Sequence, residues 1–233
     1  MGRRPESGGK CTFCGESVVF SSMTKHLQSC VKRHEAVGKE NSEKRSSSKI
    51  YGLKIWATYN PTYWLFLEVA GSAKLQDLDD FLRKTWLECC GHLSAFTIRD
   101  VRYETKTDET DLFDDEESKT MDVRIGEVFS GGLEAHYEYD FGSTTDLDFK
   151  VLWEREGWLN KKGVTVLSRN EPIGFKCAAC GQTAEVVCAE CGCEKDASYC
   201  GACAAKHECG EEMLLPVVNS PRMGVCGYEG ARV

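Results

Sequence analysis

The 233-residue chain has no uninterrupted apolar run near the 18 residues that a membrane-crossing helix requires. Its first residues, MGRRPESGGK, lead straight into a cysteine motif without an apolar segment, so a secretory leader is not expected. There is no GxSxG elbow, no Walker loop and no Rossmann glycine fingerprint, and therefore none of the signatures of serine hydrolases, P-loop enzymes or dinucleotide-dependent enzymes. Internal repeats are absent apart from the recurrence of CxxC. With 41% hydrophobic and 28% charged residues, the chain is neither a disordered tail nor a membrane protein. The expectation is a cytoplasmic protein of one or two domains with small appendages and no membrane association.

What the chain has in excess is cysteine, with 14 residues. In a cytosolic protein, paired cysteines are better read as metal ligands than as disulfides. Charge and cysteine both divide the chain. Residues 1–49 carry ten Lys/Arg against five Asp/Glu, residues 50–170 carry 14 against 23, and residues 171–233 carry five against nine; the cysteines divide as three, two and nine. The expected organisation is a zinc finger over 1–35, a flexible linker over 36–49 (AVGKENSEKRSSSK), an α+β domain over 50–170 and a cysteine-rich zinc module with a tail over 171–233.

Cys11, Cys14, His26 and Cys30 follow C-x2-C-x11-H-x3-C. A CxxC turn supplies two ligands to a tetrahedral zinc ion, and a His and a Cys four apart on a helix supply the other two. Ser22 to Lys32 has the composition of that helix, with Ser21 or Ser22 as cap. So short a module is expected to be disordered without metal. The spacing and the HLxxC ending resemble the ubiquitin-binding zinc fingers of DNA-repair proteins, with Gln28 where those fingers carry an acidic residue. Lys10, Lys25, Lys32, Arg33, Lys44 and Arg45 surround the motif with positive charge suited to phosphate backbones.

In the central region Tyr51, Leu53, Ile55, Ala57 and Tyr59 alternate along a strand, and Tyr63 to Val69 is a more continuous apolar strand. Leu75, Leu78, Leu82, Trp86 and Cys89 recur at helical spacing. Strands are predicted at Phe96 to Tyr103, Leu133 to Phe141, Thr145 to Trp153 and Val164 to Leu167, which gives a mostly antiparallel sheet with a helix layer. The elements YGLKI, a Pro followed by YW, KLQDLDDFLRKTW, GHLSAF, RIGEVF and YEYDFG resemble the Ri-plasmid open-reading-frame-three-like family, also labelled insertion-element passenger proteins of the TnpR type, over roughly 50–155. That resemblance implies an α+β fold and an association with mobile elements, without an established activity.

Keeping Leu133 to Phe141 and Leu147 to Trp153 apolar on one side requires odd positions to face odd positions. A three-residue loop, Gly142 to Thr144, would then set Asp140 opposite Asp146, Glu138 opposite Asp148 and His136 opposite Lys150. Those four carboxylates are either a cation site, with metal-dependent hydrolysis as its extension, or a solvated acidic face. Cys89 and Cys90 are read as buried structural thiols. The acidic stretch Thr105 to Lys119 is read as a solvated loop.

From Cys177 the spacing is C-x2-C-x7-C-x2-C, followed by Cys193, Cys200, Cys203, His207, Cys209 and Cys226. An interleaved arrangement puts Cys177, Cys180, Cys200 and Cys203 on one ion and Cys188, Cys191 and His207 on another, with Cys209 or Cys226 completing the second. Sequential pairing is the alternative. The module is similar to cross-braced modules of the B-box and MYND type, which implies protein binding. About three zinc ions per chain are expected. The function that fits is a zinc-binding adaptor or nucleic-acid-associated accessory protein without catalysis, its partner a protein or nucleic acid rather than a small molecule. A metal-dependent hydrolase or nuclease and a ubiquitin-like recognition module are the alternatives.

Overall fold

The computed structural model describes residues 7–42, 47–105, 118–159, 163–193 and 197–231, which fall into two compact units. The first joins Met1–Phe81 to Leu93–Glu171, and the second joins Leu82–His92 to Pro172–Val233. The fold is α+β with mostly antiparallel pairing. The acidic stretch over 106–117, together with Lys44 and Arg45, lies outside the described residues.

In the first unit the elements run β1 (Gly8–Cys11), β2 (Ser17–Val19), α1 (Phe20–Ser29), α2 (Val31–Ser42), β3 (Ser48–Ala57), β4 (Trp64–Ala70), α3 (Leu75–Leu82), β5 (Ser94–Ile98), β6 (Val101–Glu104), β7 (Ser118–Thr120), α4 (Ile125–Val128), β8 (Glu134–Tyr139), β9 (Thr145–Gly157) and β10 (Val164–Asn170). They build one ten-stranded sheet in the order β2-β1-β10-β4-β3-β9-β8-β5-β6-β7. Among the described residues, only β6 and β7 pair in parallel.

Strand β4, WLFLEVA, is buried at every position because both faces of the sheet are covered, which is why its sequence reads as a continuous apolar run. On one face Tyr51, Leu53, Ile55, Leu67, Phe96, Tyr137 and Phe149 are buried, as are Leu75 and Leu78 of α3, and the Phe129 ring, just past α4, packs on Tyr51 and Phe149. The buried Asp79 of α3 fixes that layer by accepting hydrogen bonds from Ser94 Oγ (2.6 Å) and Tyr137 Oη (2.7 Å). On the opposite face Trp64, Phe66 and Leu167 pack with Cys11, Met23, Leu27 and Cys30.

That second layer changes the reading of the amino-terminal segment. Strand β1 pairs with β10 (Gly9 with Asn170, Cys11 with Ser168), so the first module is part of the large sheet rather than a finger on a loose tether. Where composition suggests a linker over 36–49, α2 continues to Ser42 and β3 begins at Ser48. The helix looks like linker in sequence because its inward anchor is an arginine. Arg33 Nη2 lies 2.6 Å from Glu68 Oε1, and Arg155 Nη2 lies 2.6 Å from Glu68 Oε2. Burial opposes ionisation of Glu68, but Arg155 and Arg33 outweigh it and hold the carboxyl below the usual range.

Other expectations need correction. The predicted helix start at Ser21 or Ser22 moves to Phe20, with Val19 at the cap position and no side-chain cap. Phe96 to Tyr103 is a hairpin rather than one strand, reversed at Arg99 and Asp100, which have φ of 48° and 65°. Tyr59 lies beyond β3 and is exposed. The β8–β9 hairpin keeps the odd-to-odd parity, yet its register is two residues from the predicted one: Tyr139 faces Thr145, Glu138 faces Asp146 and His136 faces Asp148. Asp140 leaves the strand with φ 66°, its side chain accepting from Gly142 N–H, so the loop is longer than three residues. A bulge between Gly52 and Leu53 makes Leu152 the extra residue of β9 and moves Trp153 to the opposite face from Val151. Gly52 is obligatory there, because a Cβ would sit 2.0 Å from the Trp153 ring.

The second unit contains a turn of π-helix over Arg83–Leu87, then β11 (Val186–Cys188), β12 (Ser198–Tyr199), α5 (Gly201–Ala204) and β13 (Leu214–Pro216). Its sheet has three strands in the order β12-β11-β13.

Candidate metal centres

The amino-terminal quartet is assembled by a short hairpin and one helix. Cys11 ends β1, and Gly15 turns the chain with φ 77°, its N–H donating to Cys11 O at 2.9 Å, so that Cys14 faces back. His26 comes from the last turns of α1, and Cys30 follows that helix in extended conformation. Cys11 and Cys30 sulfurs are 4.0 Å apart, and Cys14 Sγ is 3.4 Å from His26 Nε2. For zinc–sulfur bonds of about 2.3 Å, tetrahedral geometry demands sulfur–sulfur edges of about 3.8 Å and sulfur–nitrogen edges of about 3.6 Å. A disulfide demands about 2.05 Å. The quartet matches the first. His26 Nδ1 lies 3.5 Å from a Glu16 carboxylate oxygen, the kind of outer partner that fixes a ligating imidazole.

Two further quartets lie in the second unit and interleave along the chain. Cys177 and Cys180 sit on a turn closed by Gly181, whose φ is 75°, and they converge with Cys200 and Cys203 around the start of α5. Cys188 at the end of β11 and Cys191 converge with His207 and Cys209. Edges of 3.7 Å (Cys180 to Cys200) and 3.6 Å (Cys191 to His207 and to Cys209) again suit a tetrahedral ion. The arrangement is the interleaved one, and Cys209 rather than Cys226 stands at its last corner. The thiols within each quartet are electrostatically unequal. The backbone N–H of Cys200 pulls Cys177 down to about 6, and the hydrogen bond from Cys203 to Cys180 pushes Cys203 up to about 12.

Cys226 stands instead beside Cys89, Cys90 and His92. The reading of Cys89 and Cys90 as buried thiols therefore fails: Cys90 is exposed and Cys89 half-buried. The signal available in sequence was the C-C-G-H string together with a surplus cysteine downstream.

The acidic strand face is engaged by protein groups. His136 Nδ1 lies 2.8 Å from Asp148 Oδ1 and its Nε2 lies 3.0 Å from Asp146 Oδ1, while Arg102 binds Glu138. Burial works against protonation of His136, but Asp148 and Asp146 prevail and raise its pKa above 6.5. Asp140, buried in the hairpin loop, is not part of this face. The four-carboxylate site read from the sequence is thus not assembled; His136 and the Arg102 guanidinium lie among the carboxylates, and His136, Glu138 and Asp146 have donor atoms within 4.8 Å of one another. Of the basic rim, Lys25 and Lys32 are exposed and available, Lys10 pairs with Glu171 at 3.4 Å, and Arg33 is buried on Glu68.

Residues 49–157 match the family model described as "Plasmid pRiA4b ORF-3-like protein". The match runs from β3 through β9 and leaves out the three quartets above. No curated protein matches the chain. A solved structure, a protein of unknown function from Methanosarcina mazei Go1, is similar at 16% identity with a TM-score of 0.41; the match covers 48% of this chain and 64% of that one. Among the described residues, no helix is long and apolar enough to cross a membrane.

Proposed function

We propose that the protein is a multi-zinc accessory protein of mobile-element type, acting as a binding module for nucleic acid and not as an enzyme. The observation that carries this is the convergence of three Cys/His quartets, one in the first unit and two in the second, each with donor atoms within 4.8 Å of one another. Four protein donors leave no open coordination position, which suits structural rather than catalytic zinc. The match of the central segment to the plasmid family supports the mobile-element setting. The exposed Lys25 and Lys32, next to the first quartet, supply the phosphate-facing charge. The hydrolase alternative draws no support from an acidic face held by His136 and Arg102.

Metal analysis of the purified full chain should find zinc. Binding to mixed-sequence DNA or RNA should fall steeply with salt. The double variant Lys25→Glu, Lys32→Glu should reduce the log–log salt slope by about 1.8, at about 0.9 per phosphate contact on duplex DNA. Metal-free protein would overturn the multi-zinc reading. Salt-independent or absent binding would eliminate the nucleic-acid reading and leave a protein partner, ubiquitin-like chains being the first to titrate.

A further inference from the structure

We propose that Cys89, Cys90, His92 and Cys226 form a fourth site, for a zinc-type divalent ion, that clamps the downstream segment Ser220 to Cys226 to the end of the π-helical turn. All four belong to the second unit, and none is used by the other quartets. Cys90 Sγ lies 3.7 Å from both Cys89 Sγ and Cys226 Sγ, and His92 Nε2 lies 3.0 Å from Cys90 Sγ and 3.2 Å from Cys226 Sγ. The sulfur edges match the roughly 3.8 Å of a tetrahedral zinc thiolate, and the nitrogen edges are about half an ångström inside the ideal. Residues 136 positions apart in sequence have no local reason to meet in this way.

Charge gives a second, independent argument. Arg222 is completely buried, and its Nη2 lies 3.5 Å from Cys89 Sγ. A buried cation must be matched by negative charge. Three thiolates and a neutral imidazole around a divalent ion carry a net charge of minus one, with its density on the sulfurs, so the guanidinium beside Cys89 favours the ion-loaded site.

The chain on both sides is shaped for the site. Gly91, at φ 83°, reverses the backbone between Cys90 and His92, and its N–H donates to Glu88 Oε1 at 2.6 Å. Arg83 Nη2 holds the same carboxylate group at 2.6 Å. On the other side Ser220 Oγ donates to Trp86 O at 2.5 Å and accepts from Arg222 N–H at 2.9 Å. Cys226 itself has φ 50°, a left-handed conformation that a cysteine adopts at a cost and that turns its sulfur to the other three donors. The ligand set is three thiolates and an imidazole, which selects zinc-type ions over magnesium or calcium. Because Cys90 and Cys226 are both exposed, this ion is the most accessible of the four.

The test is metal counted per folded full-length chain by native mass spectrometry and elemental analysis, after anaerobic purification. The wild type should carry four zinc ions; Cys226→Ser and His92→Ala should each carry three, with Cys90 becoming reactive to alkylation. If Cys226→Ser fails to stay folded, Cys90→Ser reads the same loss from the other side of the clamp. Three ions in the wild type, unchanged by either substitution, would overturn the fourth site and leave the three-quartet reading intact. A Cys90–Cys226 disulfide in an unreduced peptide map would also overturn it. An ion-free wild type would sink both.

Discussion

The first quartet and the two interleaved quartets each bring four Cys or His donors within 4.8 Å of one another, yet they stand in different amounts of apolar structure. Around the first, Met23, Leu27, Trp64 and Phe66 are fully buried, and β1 is hydrogen-bonded into a ten-stranded sheet. Around the others, a three-stranded sheet and a four-residue helix carry Val187, Ala184, Ala197 and Ala204 as buried apolar side chains besides the cysteines, while the larger buried side chains of that unit, Leu82, Trp86, Leu87 and Tyr228, come from its other segments. Small folds with too little core need a metal to hold them. With zinc bound as proposed, one ion would decorate a core and the others would replace one.

The sharpest way to break this comparison is to strip the metal. A strong chelator should unfold the interleaved quartets, where bound zinc contributes an apparent 10–16 kcal/mol or so in comparable modules, while the large sheet persists. Amide exchange would read this directly: β11 and β13 should lose protection while β3, β4 and β9 retain it. Protection surviving at β11 would refute the contrast.

Next in size, Glu68→Gln should destabilise the first unit by about 3–5 kcal/mol in urea, because Arg33 and Arg155 would be left buried without their shared anion. The same carboxyl predicts a pH dependence. Its lowered pKa means that the pairing contributes fully above the ordinary glutamate value and is lost as pH falls through the lowered one. Wild type should therefore lose more stability than Glu68→Gln on acidification over that window.

Leu27→Ala should cost about 2–5 kcal/mol through the cavity it leaves against Trp64 and Phe66, yet leave the zinc count unchanged. An ion lost together with the side chain would mean that the first quartet depends on packing for its geometry.

The smallest effect is at His136. Its resonance should titrate above 6.5, and Asp148→Asn should bring the midpoint down. The stabilisation from this pair is complete below the unfolded histidine value and disappears as pH rises through the folded one. A midpoint at or below the ordinary value would show that the two aspartates do not hold the ring.

How legible all this is in the sequence follows from range. The quartet at Cys11, Cys14, His26 and Cys30 spans twenty residues, and the interleaved pair recurs within a short stretch, so spacing alone displays both. Side-chain parity likewise fixes which residues of β8 and β9 share a face. Parity cannot tell a register from one two residues away, however, and the turn that decides it depends on Asp140 adopting positive φ. Alternation puts Trp153 on the wrong face, because a bulge is a backbone event opposite Gly52 that side-chain parity does not register. Helix α2 was hidden by its polarity, since its anchor is a charged pair rather than an apolar stripe. The meeting of Cys90 with Cys226 is a tertiary fact that no local window contains.

The β1–β2 hairpin joins the rest of the large sheet only when Ser168 to Asn170 exist, whereas all four donors of the first quartet are present by Cys30. At about 5–20 residues per second, the ribosome needs roughly 7–28 s to cover the intervening 138 residues, from position 30 to position 168. During that interval the nascent segment carries its thiols without the β10 strand that will pair with β1. Early capture of an ion would shield those sulfurs and hold the hairpin ready to dock, making metal loading the opening move in the birth of the molecule.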